Sequence, residues 1–327
     1  KDIQMTRRLK VLLLPSDPPS FWEKEVIRVV NPHHDLTYFN YENSPDPQFQ
    51  GVEVVIDLAG SRRKREMADL AVSIQLWQLV ATGFDTFELD YWREKKIPVA
   101  NTPGPSSAVA LAECALMFMM MLSRRWPETQ SHLKQRIVGS PMGVDLVNRR
   151  LGLIGFGASA IELAKRAKSF SMKISAIDVR SVSLEEQQQL GVDFVGGPGE
   201  LDDVIRQSDF LSLHIHLNQE TRYLMDKRRF SLMKPSAFLI NVARGALVDE
   251  SALYQALIEG KLAGAGLDVF AQEPIDPESP LLSLPNVVGA PHIAGQTERT
   301  AQHRAAMVVE NLDRLAHGLE PLYRIDQ

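Results

Sequence analysis

Three polar residues follow apolar, strand-like segments in the second half of the chain, and their types suit proton and hydride chemistry. Arg244 comes directly after "AFLINVA", Glu273 lies three residues past "GLDVF", and His292 lies two residues past "NVVGA". Arginine binds a carboxylate with a planar fork and polarises a nearby keto oxygen, whereas histidine exchanges protons near neutral pH. A carboxylate beside the imidazole holds one tautomer and favours the charged form. These residue types predict reduction of a 2-keto acid, with proton transfer by His292 contributing about 10²–10⁴ in rate.

Each strand end also has a purely structural interpretation. Arg244 beside Gly245 fits the cap of a turn, and His292 taken alone fits a polar loop residue. Asp268, which ends another strand-like segment, fits a buried acid whose oxygens accept backbone amides. The carboxyl ends of strands in an open α/β sheet line the ligand crevice. Because three strand ends carry such residues, coincidence is a poor explanation, and we predict that they form one site.

A glycine turn lies in the segment "LGLIGFGASAIELAKRAKSF", near the middle of the chain. Gly155, Gly157 and Ala160 match the dinucleotide fingerprint G-x-G-x-x-G/A. The first glycine permits the sharp turn, the second lets the backbone approach a pyrophosphate, and the small third residue lets helix and strand pack closely. Amides at the start of the helix then face the phosphates. The fingerprint alone is weak, but the strand before it and the helix after it favour a bound dinucleotide.

Asp178 ends the next strand-like segment, 18 residues past Ala160 (178 − 160). In dinucleotide-binding folds with this fingerprint, an acid at that position meets the adenosine ribose. Its carboxylate accepts hydrogen bonds from both ribose hydroxyls. It also repels a 2′-phosphate, by about 4 kcal/mol for unit charges at ~4 Å and an effective dielectric of ~20. Asp178 therefore predicts NAD rather than NADP, although Arg180, two residues on, weakens that preference.

Strand-like and helix-like apolar segments alternate along the chain, which predicts parallel sheets with helices on their faces. The first series runs to residue 101, and "NTPGPSS" interrupts it. A second series, from residue 150 to residue 290, has enough segments for a Rossmann-type doubly wound parallel sheet of six or seven strands. The terminal helix, from about residue 297, has no strand after it, and we predict that it packs on the first domain.

The bulk properties exclude several classes of protein. A chain of 327 residues with 44% hydrophobic and 24% charged residues is typical of a globular protein with two domains. A net charge of −5 and the absence of a long basic segment argue against nucleic acid. The most apolar segment, residues 111–122, is shorter than the roughly 20 residues of a membrane span. One cysteine, Cys114, precludes an internal disulfide, and with no secretory signal apparent we expect a cytoplasmic protein. No metal site is expected.

The chain resembles the D-isomer-specific 2-hydroxyacid dehydrogenases over nearly its whole length. The motifs that carry the resemblance are the glycine turn with its aspartate, "LMKPSAFLINVARGALVDESAL", "GAGLDVFAQEP" and "VVGAPHIAGQT". The resemblance implies an NAD-binding domain, residues 104–295, inserted in a smaller flavodoxin-like α/β substrate domain formed by residues 1–103 and 296–327. It also implies a homodimer built largely through the NAD-binding domain, in which the Met-rich helix 111–122 would take part.

The resemblance assigns roles to individual residues. It makes Arg244 the substrate-binding arginine and His292 the acid/base paired with Glu273, as the catalytic residues. It also implies that the backbone amides of Thr82 and Gly83 hold the substrate carboxylate. Along the glycine turn and the strand ends, we expect the following cofactor contacts: Gly155, Phe156, Gly157, Ala158, Ser159, Asp178, His214, Thr221, Val242, Ala243, Arg244, Asp268, His292 and Gly295.

The substrate is less defined than the chemistry. Relatives that use phosphoglycerate place an arginine in the loop after the third strand, where this chain has Ala59 and Gly60. Arg62 and Arg63 follow closely and are possible substitutes. Glyoxylate, hydroxypyruvate and 3-phosphoglycerate are therefore all candidates, the last with the least support. His216 stands where the family usually has proline, and we hypothesise a local supporting role for it.

Two alternative functions remain open from the sequence. The C-terminal-binding corepressors keep this fold and the arginine, glutamate and histidine of the site, yet they act mainly as scaffolds. An NAD(H)-sensing binding protein is therefore the second hypothesis. Formate dehydrogenase is a third, but it has glutamine in place of the glutamate that partners histidine, and Glu273 argues against it. Turnover of a 2-keto acid would distinguish an enzyme from a sensor.

Overall fold

The computed structural model describes residues 7–16, 20–58 and 64–327. The chain divides into two compact units, Lys1–Ser107 with Gln296–Gln327, and Ala108–Gly295. Each unit is a parallel β-sheet with helices packed against it. The predicted fold class is therefore confirmed, including the doubly wound sheet of the second half of the chain.

Short apolar strands alternate with helices throughout the described residues, as the apolar pattern predicts. The strands are β1 (Lys10–Leu14), β2 (Asp35–Tyr38), β3 (Val54–Asp57), β4 (Leu76–Leu79), β5 (Val99–Ala100), β6 (Arg150–Ile154), β7 (Lys173–Ile177), β8 (Phe194–Gly196), β9 (Phe210–Leu213), β10 (Phe238–Asn241), β11 (Gly264–Leu267) and β12 (Val287–Gly289). The α-helices are α1 (Phe21–Val30), α2 (Lys64–Leu70), α3 (Leu89–Glu94), α4 (Ala108–Ser123), α5 (Trp126–Lys134), α6 (Ala158–Ser169), α7 (Leu184–Leu190), α8 (Leu201–Gln207), α9 (Lys227–Phe230), α10 (Glu250–Ile258) and α11 (Glu298–Ala316).

The sheet of the first unit has the order β2-β1-β3-β4-β5, and all its pairs are parallel. This is the flavodoxin-like order. The terminal helix α11 belongs to this unit: Ala305, Val308 and Leu312 are fully buried in one apolar cluster with β1 and α1. Spacings of three and four residues put these side chains on one face of the helix. The prediction that the terminal helix packs on the first domain is thus confirmed.

The sheet of the second unit has seven strands in the order β12-β11-β10-β9-β6-β7-β8, all parallel. Numbered within the unit, this is the Rossmann order 3-2-1-4-5-6 with one further strand. The order in which strands are added reverses at β6: β7 and β8 lie on one side of it, and β9 to β12 lie on the other. At this point Ile154 of β6 is in register with Leu213 of β9. Ligands bind beyond the carboxyl ends of the strands at such a switch point.

Helix α4 packs against α6 and the strands of the second unit. Ala112, Ala115 and Phe118 are fully buried, and Gly266 of β11 permits the close approach, because a Cβ atom there would lie 2.6 Å from Phe118 Cβ. Met120 on the other face of α4 is 45% exposed. In the part of the chain that the structure describes, no helix is long and apolar enough to cross a bilayer.

Candidate active site

Three neighbouring strands of the second unit end at one edge of the sheet and carry the residues predicted to do the chemistry. Asn241 of β10 is in register with Leu267 of β11, and Leu267 is in register with Gly289 of β12. Arg244 and His292 each lie three residues beyond these aligned strand ends. Parallel strands place their carboxyl ends together, so the topology brings the two loops to the same edge.

His292 and Glu273 form a hydrogen-bonded pair within this unit. His292 Nδ1 lies 2.7 Å from Glu273 Oε2, and Glu273 Oε1 accepts the backbone amide of Phe270 at 3.0 Å. The carboxylate is thereby fixed from one side and fixes the imidazole on the other. The histidine side chain is 50% exposed, and its Nε2 atom has no hydrogen-bond partner among the described residues. A carboxylate on Nδ1 leaves Nε2 to exchange a proton with a substrate oxygen.

Asp268 positions the loop that carries His292. Its side chain is fully buried, and its two oxygens accept the backbone amides of Ile293 and Ala294, both at 2.8 Å. Its carbonyl accepts the amide of His292 at 2.7 Å. Burial raises the pKa of Asp268, while the two amide hydrogen bonds act in the opposite direction. These bonds hold His292 at a φ of 54°, a left-handed conformation that non-glycine residues seldom adopt. The structural interpretation of Asp268 therefore holds, and its cofactor contact remains a prediction.

The loop after β10 presents Arg244 through Gly245 and through Asn241, a residue that the sequence analysis did not identify. Asn241 is buried, and its side chain accepts the amide of Ala243 at 3.1 Å and donates to the carbonyl of Arg244 at 2.8 Å. Gly245 lies so close to the next strand end that a Cβ atom there would fall 1.8 Å from the carbonyl carbon of Phe270. The amide side chain at the end of the otherwise apolar segment "FLIN" was the available signal for Asn241. Arg244 itself is partly buried, with Nη1 donating to the carbonyl of Ala243 at 2.8 Å.

The glycine turn has the geometry that the fingerprint predicts. Gly155 has a φ of 88°, and a Cβ atom there would lie 2.6 Å from the carbonyl oxygen of His214, so the fold itself requires glycine. A Cβ atom at Gly157 would meet nothing within 4 Å. Ala160 is fully buried in α6 against the sheet. The open space at Gly157, beside the first turn of α6, fits a pyrophosphate bound on helix amides.

Asp178 connects the glycine turn to the loop after β7. Its Oδ2 atom accepts the amide of Phe156 at 2.6 Å, and its Oδ1 atom accepts the amide of Arg180 at 2.8 Å. Each carboxylate oxygen has a further lone pair for a ribose hydroxyl. The guanidinium of Arg180 pairs with Glu186 at 3.0 Å, and this pairing raises the arginine's pKa. The guanidinium of Arg180 is thus already paired with a carboxylate.

His214 lies at the end of β9, next to the glycine turn. Its two ring nitrogens lie 2.9 Å from Ser159 Oγ and 2.9 Å from Ser212 Oγ. Burial lowers the pKa of His214 to about 4. The imidazole is therefore neutral near pH 7 and couples the start of α6 to the sheet.

The other predicted cofactor contacts lie around the same edge of the second unit. The side chains of Phe156 and Val242 are buried, so the groups they can offer a cofactor are backbone groups. Thr221 closes a loop, with its hydroxyl donating to the carbonyl of His216 at 2.8 Å. The His216 side chain is exposed. Ala158 begins α6 and Gly295 ends the His292 loop.

The proposed carboxylate-binding loop lies in the first unit, just after β4. The Thr82 hydroxyl donates to the carbonyl of Thr102 at 3.0 Å, and the Thr82 carbonyl accepts Asn101 Nδ2 at 2.8 Å. Over the described ranges, the backbone amides of Thr82 and Gly83 have no hydrogen-bond partner. These amides are therefore available to bind an anion. Ala59, Gly60, Arg62 and Arg63, the positions compared with the arginine of phosphoglycerate-using relatives, lie outside the described residues.

Comparisons with known proteins show which family the chain is similar to. The family model described as "D-isomer specific 2-hydroxyacid dehydrogenase, NAD binding domain" matches residues 116–294. A glyoxylate reductase from Korarchaeum cryptofilum is 34% identical over 310 residues, which cover 91% of this chain and 91% of the relative. A D-3-phosphoglycerate dehydrogenase from Methanocaldococcus jannaschii is 32% identical over 273 residues, covering 83% of this chain but 51% of the relative. A solved glyoxylate reductase from Paecilomyes thermophila is 26% identical, with a TM-score of 0.83 over 98% of this chain and 99% of that chain.

Proposed function

We propose that this chain, which belongs to the D-isomer-specific 2-hydroxyacid dehydrogenase family, uses NADH to reduce a small 2-keto acid such as glyoxylate or hydroxypyruvate. The family resemblance of the sequence is confirmed, and the protein is an NAD(P)-dependent D-2-hydroxyacid dehydrogenase. The preferred cofactor, the substrate and the residue roles are our inference. The observation that carries it is the His292–Glu273 pair, 2.7 Å apart, with Nε2 of the histidine unpartnered in the part of the chain that the structure describes.

In this mechanism the named residues bind the substrate and transfer the proton. His292 Nε2 donates a proton to the substrate oxygen as the 2-hydroxy acid forms, and Glu273 holds Nδ1 and offsets the charge of the imidazolium. Arg244 binds the carboxylate and polarises the keto oxygen. The amides of Thr82 and Gly83 hold the carboxylate. Reduced nicotinamide supplies the hydride when it is bound.

The surroundings of Asp178 favour NAD(H) over NADP(H). Its carboxylate stands at the strand end where the adenosine ribose binds, and it would repel a 2′-phosphate. Arg180, the nearby cation that could offset this repulsion, already pairs with Glu186 at 3.0 Å. We therefore expect a higher kcat/KM with NADH than with NADPH.

We assign a different role to each of the two units, as the family resemblance implies. We assign cofactor binding to residues 104–295 and substrate binding to residues 1–103 with 296–327. The relatives named glyoxylate reductase support small substrates without a phosphate. 3-Phosphohydroxypyruvate stays in the substrate panel because one relative is named D-3-phosphoglycerate dehydrogenase.

The second unit also supports the proposed homodimer. Three apolar side chains after α4 are strongly exposed: Leu133 (70%), Val138 (95%) and Met142 (87%). Contiguous exposed apolar surface marks interaction sites, and these three side chains lie in one ten-residue segment of the chain. We propose that a second copy covers it. The cytoplasm remains our proposed compartment, since the single cysteine makes no internal disulfide.

The test is a substrate panel with both nicotinamide cofactors, read by absorbance of the reduced cofactor. We expect oxidation of NADH with glyoxylate or hydroxypyruvate, and a fall in kcat of about 10²–10⁴ for His292→Ala. The affinity for NADH, measured by fluorescence titration, should fall far less than kcat. His303→Ala, an exposed histidine on α11, is the control and should behave like the parent. Tight NADH binding without turnover of any 2-keto acid would overturn the proposal and favour a sensor.

A further inference from the structure

Arg304 of α11 is packed against the loop that carries Thr82, and no part of the mechanism above uses it. Its Nη2 atom donates to the Thr82 hydroxyl at 3.2 Å, and its Nε atom approaches the Ser106 hydroxyl at 3.5 Å. Its guanidinium lies over the ring of Trp22, 4.5 Å from the centroid. Trp22 is held in turn by a hydrogen bond from its indole nitrogen to Gln296. These contacts, all within the first unit, fix the direction of the guanidinium.

The proton of the Thr82 hydroxyl is already donated within the first unit. The hydroxyl donates to the carbonyl of Thr102 and accepts from Arg304, so it has no proton left for a substrate carboxylate. The amides of Thr82 and Gly83, in contrast, have no acceptor among the described residues. Arg304 contacts the side chain of Thr82, and the backbone amide of Thr82 is one of these two amides. A positive charge so near lowers the free energy of an anion bound to the amides.

We propose that Arg304 is a positioning residue for substrate recognition: it fixes the Thr82–Gly83 loop and supplies the positive charge behind the amides that bind the substrate carboxylate. The inference rests on the proposed function, because it assigns a further residue to the same carboxylate site. Arginine suits this task better than lysine, since a planar guanidinium can stack on an indole and donate in its own plane at the same time.

The experiment compares Arg304→Met with Arg304→Lys in the full chain. Methionine keeps much of the apolar contact with Trp22 and removes the charge, whereas lysine keeps the charge and loses the planar stack. Arg299→Met is the matched control, because Arg299 lies on the same helix and is exposed. The readouts are KM for glyoxylate, KM for NADH, kcat, and the affinity of the enzyme–NADH complex for oxamate by calorimetry.

We expect Arg304→Met to raise KM for glyoxylate and Kd for oxamate by about tenfold. The values of kcat and KM for NADH should stay within about twofold, and the ionic-strength dependence of KM should weaken. Arg304→Lys should recover part of the loss, and Arg299→Met should match the parent. An unchanged KM and oxamate Kd in Arg304→Met would overturn the inference. Equal losses in both Arg304 variants, with falls in kcat and thermal midpoint, would also overturn it in favour of a structural role.

The two failures are distinguishable. A parent enzyme that turns over glyoxylate while Arg304→Met keeps its KM contradicts only the role of Arg304. A parent without turnover contradicts the proposed function, yet oxamate affinity still tests whether Arg304 supports carboxylate binding. A parent that neither turns over a 2-keto acid nor binds oxamate contradicts both.

Discussion

Two histidines stand just beyond strand ends in the second unit, and their surroundings differ sharply. His214 follows β9, is partly buried, and has both ring nitrogens 2.9 Å from serine hydroxyls. His292 follows β12, is 50% exposed, and has one nitrogen on a carboxylate. The backbone amide of His214 is held by the carbonyl of Ile154 in the sheet, whereas that of His292 is held by Asp268 beyond the sheet.

The difference explains why only one of the two histidines suits proton transfer. Burial lowers the pKa of His214 to about 4, so its imidazole stays neutral at physiological pH. His292 combines solvent access, a carboxylate partner and a ring nitrogen without a partner among the described residues. A histidine at a strand end is thus insufficient by itself. The acid that it contacts and its exposure decide whether it can exchange a proton with a substrate.

The strongest test of this contrast removes the charge that distinguishes the two histidines. Glu273→Gln should lower kcat by about 10²-fold, because an amide cannot offset the imidazolium charge. The amide also has only one oxygen for the two donors, His292 Nδ1 and the Phe270 amide, that the carboxylate accepts now. Glu278→Gln, at an exposed position of the same loop, is the control. Steady-state kinetics with saturating NADH measure the effect, and a kcat within a few-fold of the parent would argue that the carboxylate is only structural.

A second test loosens the backbone that carries His292. Asp268→Asn leaves one oxygen for the amides of Ile293 and Ala294. A buried amide without an acceptor costs roughly 1–3 kcal/mol, so the free energy of unfolding should fall by that amount. We expect kcat to fall about tenfold as the loop loses its fixed position. Urea denaturation and kinetics measure the two effects, and a stable, fully active variant would show that the loop does not need Asp268.

The third test concerns His214, and its effect on stability appears only when the pH is lowered. Its pKa is about 4 in the folded protein and 6.5 ordinarily, so both states are neutral above pH 6.5. Below that value the unfolded chain binds the proton first, and stability falls as pH drops toward 4. Between pH 7.5 and pH 5 the loss from this group is roughly 2 kcal/mol, at about 1.36 kcal/mol per unit.

His214→Gln should remove this contribution and make stability less dependent on pH over that range. His216→Gln, an exposed histidine two residues on, is the matched control and should keep the parent's pH dependence. Urea midpoints at pH 7.5 and pH 5 for the three proteins give the comparison. Parallel behaviour of parent and His214→Gln would show that His214 is not held neutral by burial.

Several features could be predicted from the sequence because their causes are local. Strand-like and helix-like segments alternate along the chain, and this alternation predicts the parallel sheets. The strands of such sheets are buried on both faces and therefore need near-continuous apolar residues. The spacing of Gly155 and Gly157 predicts the turn, because positive φ and close backbone approach depend on the residue itself. The motifs around Arg244, Glu273 and His292 likewise lie within short segments of the chain.

Other features depend on contacts between distant segments. Asp268 accepts amides 25 and 26 residues further along the chain, and no spacing rule predicts that partner set. Gly245 is required by the backbone of Phe270 on the neighbouring strand end, not by its own φ. The contact of Arg304 with Thr82 spans 222 residues.

The sequence by itself determined the class of fold, the glycine turn and the residue types available for hydride and proton chemistry, because periodicity and backbone freedom are properties of short segments. Only the tertiary structure decided that His292 meets Glu273 while His214 meets two serines, since register between parallel strands sets which loops are neighbours. It also decided that Asp268 serves the His292 loop and that Arg304 faces Thr82. Burial and partner identity, which decide how a side chain titrates, arise only when distant segments pack together.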